Sequence, residues 1–244
     1  DRFQLPNGLT VLSQENRSSG LVSVQLWVRT GSIHEGEFLG AGLSHYLEHL
    51  LFKGTPRRPG SEISRAVHEA GCYINAYTTF DRTVYYIDGP CASCDLAIDI
   101  LGDAAFESVL PDEEVDKERE VILREIDMGL DDPDRQVAHA LFSCGFREHP
   151  YRLPVIGHRD IFESVTRQDL LKYYKERYVP NNMVLIVVGD IDSDNVRKSA
   201  ERIFGGYSRK HRPRPFVPEE PVQLAFREDH MTGEVNICRG GLGF

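Results

Sequence analysis

A short apolar segment, Leu43–Phe52, carries two histidines and a glutamate in the spacing H-x-x-E-H. Residues three and four apart lie on the same face of a helix, so His45 and His49 point the same way with Glu48 beside them. Two imidazoles at this spacing can bind one zinc ion, and a neighbouring carboxylate that is not a ligand can deprotonate zinc-bound water. The motif is the inverted form of H-E-x-x-H. It therefore predicts a helix with a zinc site, whose third protein ligand must come from elsewhere.

The candidate third ligand lies in residues 111–130, which have the pattern of a long helix. Pro111 stands where a helix can begin, acidic residues fill the first turn, and apolar residues recur at roughly helical spacing. Glu118 and Glu125 are seven residues apart, two helical turns, and therefore lie on one face in or beside the apolar stripe. An unpaired carboxylate there would be costly, and a bound metal would remove that cost. From these residues alone, the alternative that both are solvated acids on an acidic helix stays open.

The segment His45–Thr55 closely resembles the zinc-site helix of the pitrilysin family, which includes mitochondrial processing peptidase, insulin-degrading enzyme and their bacterial relatives. In that family H-x-x-E-H is followed by a distant glutamate ligand, and the 75 residues between His49 and Glu125 match that distance. The likeness continues through Asn75–Thr78 and Tyr178–Asp190, and so covers almost the whole chain in order.

The resemblance implies a role for each candidate site residue. Zn²⁺ would be bound by His45, His49 and Glu125. Glu48 would be the catalytic base, and Glu118 would assist catalysis at the metal site without binding zinc. Four consecutive residues would form the strand that pairs with the substrate backbone: Asn75, Ala76, Tyr77 and Thr78.

The order of helical and strand patterns predicts an α+β fold, with helices packed on one face of a mainly antiparallel sheet. We expect one domain over residues 1–244, with a proline-rich extended connector at about 207–222. Two strands are expected after or at the end of this connector, Val222–Arg227 and Glu234–Arg239. Other strands are expected at 3–5, 9–13, 21–28, 72–78, 83–88 and 182–188, and helices at 41–53, 62–70, 91–108, 111–130, about 134–143, 166–177 and 193–204.

Members of the resembled family are built from two halves of related fold that close on each other as a clamshell. The resemblance implies that this chain is the zinc-bearing half. A second half-domain or a partner subunit, as in a dimer, would complete the chamber. In that family, an arginine and a tyrosine of the second half contact the substrate, and those residues are absent here.

The resulting hypothesis is a zinc-dependent endopeptidase that hydrolyses extended or unfolded peptides, such as presequence-like or basic peptides, by metal-activated water. Two alternatives stay open. One is a non-catalytic relative, like the core subunits of the respiratory cytochrome bc1 complex. The other is an interaction module that only completes a partner's chamber. The presence of all four residues of the metal site favours the enzyme.

The formal net charge of −10 argues against nucleic acid as a partner, because nucleic acid is bound by basic surfaces. Twelve acidic residues lie between Glu107 and Asp134, where only three basic residues occur. Such a rim could attract basic peptides, or it could simply keep the helix soluble. No apolar run approaches the length needed to span a membrane.

The five cysteines are an odd number without a disulfide framework, which favours a reducing compartment. The C-x-x-C pair Cys91 and Cys94 has no second pair and no thioredoxin-like context, so we interpret both as structural or incidental thiols. We expect a cytoplasmic location, with the mitochondrial matrix or the periplasm as alternatives. The chain begins at Asp1, so a trimmed N-terminus and a lost targeting segment are compatible with the sequence.

Overall fold

The computed structural model describes residues 1–211, 215–233 and 235–243. Its centre is a six-stranded sheet in the order β1-β2-β6-β3-β5-β4. The strands are β1 Arg2–Gln4, β2 Thr10–Glu15, β3 Leu21–Val28, β4 Tyr73–Thr78, β5 Thr83–Pro90 and β6 Met183–Gly189. Only the pair β2–β6 is parallel, and the other four pairs are antiparallel. The predicted mainly antiparallel sheet is therefore confirmed.

Eight α-helices lie in the described residues: α1 Leu43–Leu50, α2 Glu62–Glu69, α3 Cys94–Glu107, α4 Asp112–Asp131, α5 Pro133–Gly145, α6 Arg159–Glu163, α7 Arg167–Arg177 and α8 Ser193–Phe204. The seven predicted helices are confirmed with shifted ends. Helix α1, which was predicted to run over 41–53, is shorter at both ends, and it begins only after Gly42 because the positive φ of that glycine is not helical. Helix α6 was not predicted, since five residues are too few to show a helical period.

One face of the sheet is apolar and buried, and the other face is partly exposed. Along β3, Val22, Val24, Leu26 and Val28 are buried, and the residues between them are partly exposed. This alternation is expected for a strand with one face on a core. Helices α1, α3 and α8 pack against the strands. None of the helices in the described part of the chain combines the length and apolarity needed to cross a membrane.

The contact between α1 and α4 brings the two predicted metal-binding segments together. Leu43, Leu47 and Leu50 on α1 are fully buried and fix its apolar face in the core. The hydroxyl of Tyr46 donates a 2.5 Å hydrogen bond to the carbonyl oxygen of Val115 on α4. Apolar packing and this buried hydrogen bond together set the position of α1 along α4.

The predicted strand Val222–Arg227 is wrong. The alternation of Val222, Leu224 and Phe226 suggested a strand, but these side chains are exposed and the segment has no regular structure. A strand is stable only beside a partner, and no described residue pairs with this segment. In the second predicted strand, Glu234 lies outside the described residues and 235–239 form no strand. The described residues of the connector at 207–222 contain no helix or strand.

Candidate metal centre

The three predicted zinc ligands converge between α1 and α4. His45 lies in the first turn of α1, His49 lies one turn later, and Glu125 projects from α4. Nε2 of His45 is 3.7 Å from Oε2 of Glu125, and Nε2 of His49 is 3.8 Å from the same oxygen. Zinc bonds of about 2.0–2.2 Å in tetrahedral geometry separate ligand atoms by roughly 3.3–3.6 Å. These three atoms are therefore close to the spacing that one zinc ion requires.

The chemistry of this donor set also fits zinc. Two imidazole nitrogens and one carboxylate form a known ligand set for catalytic zinc, which leaves one position open for water. Within the described residues, His45, His49 and Glu125 are the one group of three or more possible ligands close enough to share an ion. Burial, with smaller contributions from His49 and Arg135, lowers the pKa of His45 to about 3. His45 is therefore neutral at physiological pH, as a metal ligand must be.

His49 is oriented by a chain of two further side chains. Its Nδ1 lies 2.9 Å from Oε2 of Glu118, and Oε1 of Glu118 lies 2.6 Å from Nζ of Lys53. Burial tends to raise the pKa of Glu118, but the hydrogen bonds from Lys53 and His49 outweigh burial and lower it. The ionised Glu118 accepts the Nδ1 proton of His49, which leaves Nε2 with the lone pair a metal needs. Glu118 is thus placed to support the metal site without entering the ligand group.

Glu48 is separate from the three ligands. Thr78 Oγ1 on β4 donates a 2.7 Å hydrogen bond to Oε2 of Glu48. Burial raises the pKa of the Glu48 carboxyl, opposed by the bond from Thr78 and the charge of His49. A raised pKa suits a group that must accept and return a proton near neutral pH. The role of Glu48 as general base stays a prediction, with which this raised pKa is consistent.

Strand β4 forms one edge of the sheet, since β5 is its only partner in the described residues. Asn75 and Tyr77 are exposed, whereas Ala76 and Thr78 are partly buried. The amide of Ala76 donates to the side chain of its neighbour Asn75 at 2.8 Å. The strand predicted to pair with a peptide is therefore an exposed edge, which is the geometry that strand addition needs. The role of these four residues in substrate binding stays a prediction.

Comparison with known proteins places this site in a family. Residues 10–159 match the family described as Insulinase (Peptidase family M16), and residues 164–239 match the one described as Peptidase M16 inactive domain. The chain belongs to peptidase family M16. The resemblance to the pitrilysin-type peptidases is thereby confirmed.

Similar proteins extend well beyond the length of this M16 chain. An uncharacterized zinc protease of Rickettsia felis is 34% identical over 219 residues, which are 90% of this chain and 53% of that protein. The crystal structure of a protease from Helicobacter pylori has a TM-score of 0.88 and 29% identity over 93% of this chain and 55% of that one. The first half of the periplasmic protease PqqL from Escherichia coli has a TM-score of 0.79 and 28% identity over 90% of this chain and 49% of that one. The chain thus spans about half the length of the proteins it matches.

Several functional contacts of this M16 chain were not predicted from its sequence. Lys53 was not connected with Glu118, because no spacing rule links them. Arg135 on α5 lies 3.8 Å from Oε1 of Glu125, and Thr78 contacts Glu48 directly. The contacts of Lys53 and of Thr78 join elements far apart in the chain, whereas Arg135 and Glu125 lie on consecutive helices. The only sequence signal was that Lys53 lies four residues after His49, within the segment that resembles the zinc-site helix.

The hydrogen bond from Thr78 predicts a loss of turnover without loss of metal. Thr78→Val removes the donor and keeps the side-chain volume, so Glu48 would lose its orientation while the three ligands stay in place. Hydrogen bonds to charged groups contribute about 1.5–3 kcal/mol, and we therefore expect kcat/KM to fall by about 10–150-fold. Thr79→Val is the matched control, because Thr79 Oγ1 contacts Asp81 instead. Equal peptidase rates for the two variants would contradict the prediction.

Proposed function

We propose that this chain is the zinc-bearing part of an M16 metalloendopeptidase that hydrolyses extended or unfolded peptides. One observation carries the proposal: His45, His49 and Glu125 converge on one point, with Glu48 beside the two histidines on α1. The name of the Rickettsia felis protein, a zinc protease, supports both the metal and the reaction. The residues that match the inactive-domain family are 164–239, and none of the four site residues lies among them. This location favours a peptidase over a non-catalytic relative.

In the proposed reaction, zinc held by His45, His49 and Glu125 would supply an acidified water molecule and a positive charge that polarises the scissile carbonyl group. Glu48 accepts the proton of that water and returns it to the leaving amine. Thr78 donates a hydrogen bond to Oε2 of Glu48, which leaves Oε1 as the less engaged oxygen for the proton. Glu118 and Lys53 keep His49 in the tautomer that leaves Nε2 free for the metal. Each described side chain thus has a single role at a stated atom.

The substrate would add to β4 as an extended strand. Main-chain hydrogen bonds would then hold it with little demand on its sequence. The β4 residue Thr78 already touches Glu48, so a peptide on this edge would run past the base. The acidic residues of α4 and its flanks would favour basic peptides through long-range attraction. Basic, presequence-like segments are therefore the substrate class we propose.

A second part of the protein, on the same chain or on a partner, is proposed to close the chamber. The solved first half of PqqL, to which this chain is similar over 49% of that structure, supports a larger catalytic unit. A metal site open to water lacks the walls that orient a peptide and exclude solvent. The 244-residue chain should therefore bind zinc but be a poor peptidase by itself.

The test is an assay of a quenched, extended basic peptide with the 244-residue chain alone and then with the second half added in trans. We expect little cleavage by the chain alone and a large increase on addition. The same mixture made with the Glu48→Gln chain is the control, because it shows whether the gained activity comes from this site. Full activity from a demonstrably monomeric 244-residue chain would contradict the requirement for a second half.

A further inference from the structure

Glu35 is a buried carboxylate that contacts the beginning of the metal-binding helix. It lies between two 3₁₀ turns, Ser32–His34 and Gly36–Phe38, and is only 2% exposed. Its Oε2 accepts a 3.0 Å hydrogen bond from the amide of Gly42, and its Oε1 accepts a 2.9 Å bond from the amide of Ser44. The first amides of a helix have no acceptor within the helix itself. Glu35 therefore caps α1 from a separate loop.

The cap has to come from elsewhere because the N-cap position cannot carry a side chain. That position is Gly42, whose φ of +71° favours glycine. A Cβ atom on Gly42 would lie 2.0 Å from the carbonyl oxygen of Ile156, which is too close for any atom. Serine, threonine, aspartate and asparagine, the usual N-cap residues, are thus excluded at this position. The carboxylate of Glu35 replaces the side chain that Gly42 lacks.

Burying this carboxylate is costly, which argues that its position matters. Burial raises the pKa of Glu35 to about 8, although the hydrogen bonds from the Ser44 and Gly42 amides oppose that rise. A surface cap would avoid the cost of desolvation. Ser44 is held a second time, since its hydroxyl lies 2.8 Å from the hydroxyl of Tyr173 on α7. The first turn of α1 is therefore fixed from two sides.

The residue that follows Ser44 is the predicted ligand His45. We propose that Glu35 is a positioning residue for His45: by capping the first turn of α1 it holds this imidazole in place for the metal. This inference rests on the proposed zinc site. His49 lies a turn further on and has its own support from Glu118, so it depends less on the cap. Without the cap, the first turn frays, and zinc binding must restore it before His45 can act as a ligand.

Glu35→Gln tests this role because the amide keeps the shape but can accept only through one oxygen. Loss of a helix cap typically corresponds to a factor of about 2–30 in an equilibrium, and we expect zinc affinity to fall within this range. Zinc affinity is measured in the 244-residue chain by competition with a chromophoric chelator, at a pH above the raised pKa of Glu35, where its carboxyl group is ionised and differs from an amide. Hydrogen exchange of residues 42–46 is measured on the same metal-free samples, and we expect it to become faster.

Asp192→Asn is the matched control. Asp192 also caps a helix with its carboxylate, accepting from the amide of Asn195 at 3.0 Å, but that helix, α8, packs on α3 and β2. A general loss of stability would affect both variants, whereas only Glu35→Gln should weaken zinc binding. Glu35→Asp keeps the charge and draws it back by one methylene group. It should also weaken zinc binding, and it decides the matter if Glu35→Gln fails to fold.

The outcomes separate this inference from the proposed function. If the wild-type chain binds zinc and the folded Glu35 variant binds it as tightly as Asp192→Asn does, Glu35 does not position His45. If the wild-type chain takes up no zinc at all, the proposed function is wrong and this inference falls with it. Weaker zinc binding together with faster exchange in residues 42–46, seen only in the Glu35 variants, supports the role.

Discussion

Glu48→Gln is expected to lower the peptidase activity of the assembled enzyme by about 10²–10⁴-fold, which is the usual contribution of a positioned general base. The amide of glutamine cannot accept a proton from water, so the attacking water would stay protonated. Zinc content should remain unchanged, because Glu48 lies outside the group formed by His45, His49 and Glu125. The two measurements are metal analysis of the purified variant and its rate on the quenched basic peptide.

The fold around Glu48 should tolerate this change. A glutamine carbonyl at the same place can still accept the hydrogen bond that Thr78 donates. Glu120→Gln on α4 is a suitable control. Glu120 is exposed, and its substitution by glutamine removes the same charge from the surface. Turnover close to that of the control would exclude Glu48 as the base. A large loss of zinc in Glu48→Gln would instead indicate that Glu48 is a ligand.

The sequence could predict those parts of the site in which all the residues lie on a single helix or strand. His45 and His49 are four residues apart on one helix, so their common face follows from helical geometry alone. Glu118 and Glu125 share a face of α4 for the same reason. What joins α1 to α4 is the family resemblance, because spacing within either helix cannot show which helices pack together. The structure supplies that contact and brings the three candidate ligands to one point.

The contacts that prediction missed all cross between elements. Glu35 contacts α1 from a preceding loop. The sequence of this loop, residues 32–38, has neither a helical nor a strand periodicity. Gly42 was placed inside the predicted helix 41–53, whereas in the structure it precedes the helix, and its close approach to Ile156 is the reason that the cap comes from Glu35. The predicted strand Val222–Arg227 failed for a related reason. Its alternating pattern is correct for a strand, but a strand also requires a neighbour, and a local pattern cannot provide one.

Substitution of the third zinc ligand, Glu125, is the change with the second largest expected effect. Glu125→Gln should lower zinc content sharply, because it replaces an anionic ligand by a neutral amide between two neutral imidazoles. Glu118→Gln should leave zinc largely bound and reduce activity. Partners of metal ligands typically contribute about 10–100-fold to affinity or activity, and Glu118 contacts His49 rather than the shared point of the ligand atoms. Both variants remove one negative charge from α4, so each is the control for the other.

Chelator competition measures the difference directly. In Glu118→Gln, the amide oxygen can still accept from Nδ1 of His49 or from Lys53, but a neutral group holds neither as firmly as a carboxylate does. The Glu118→Gln chain should therefore still contain zinc after purification. A weaker chelator should suffice to remove zinc from this variant than from the wild-type chain. Glu125→Gln should lose zinc during purification itself. The reverse order would mean that the carboxylate bound to Lys53 is the ligand and that Glu125, near Arg135, is the supporting residue. Such a result would move the metal along α4 by two turns, away from the point where Nε2 of both histidines now meets a carboxylate oxygen.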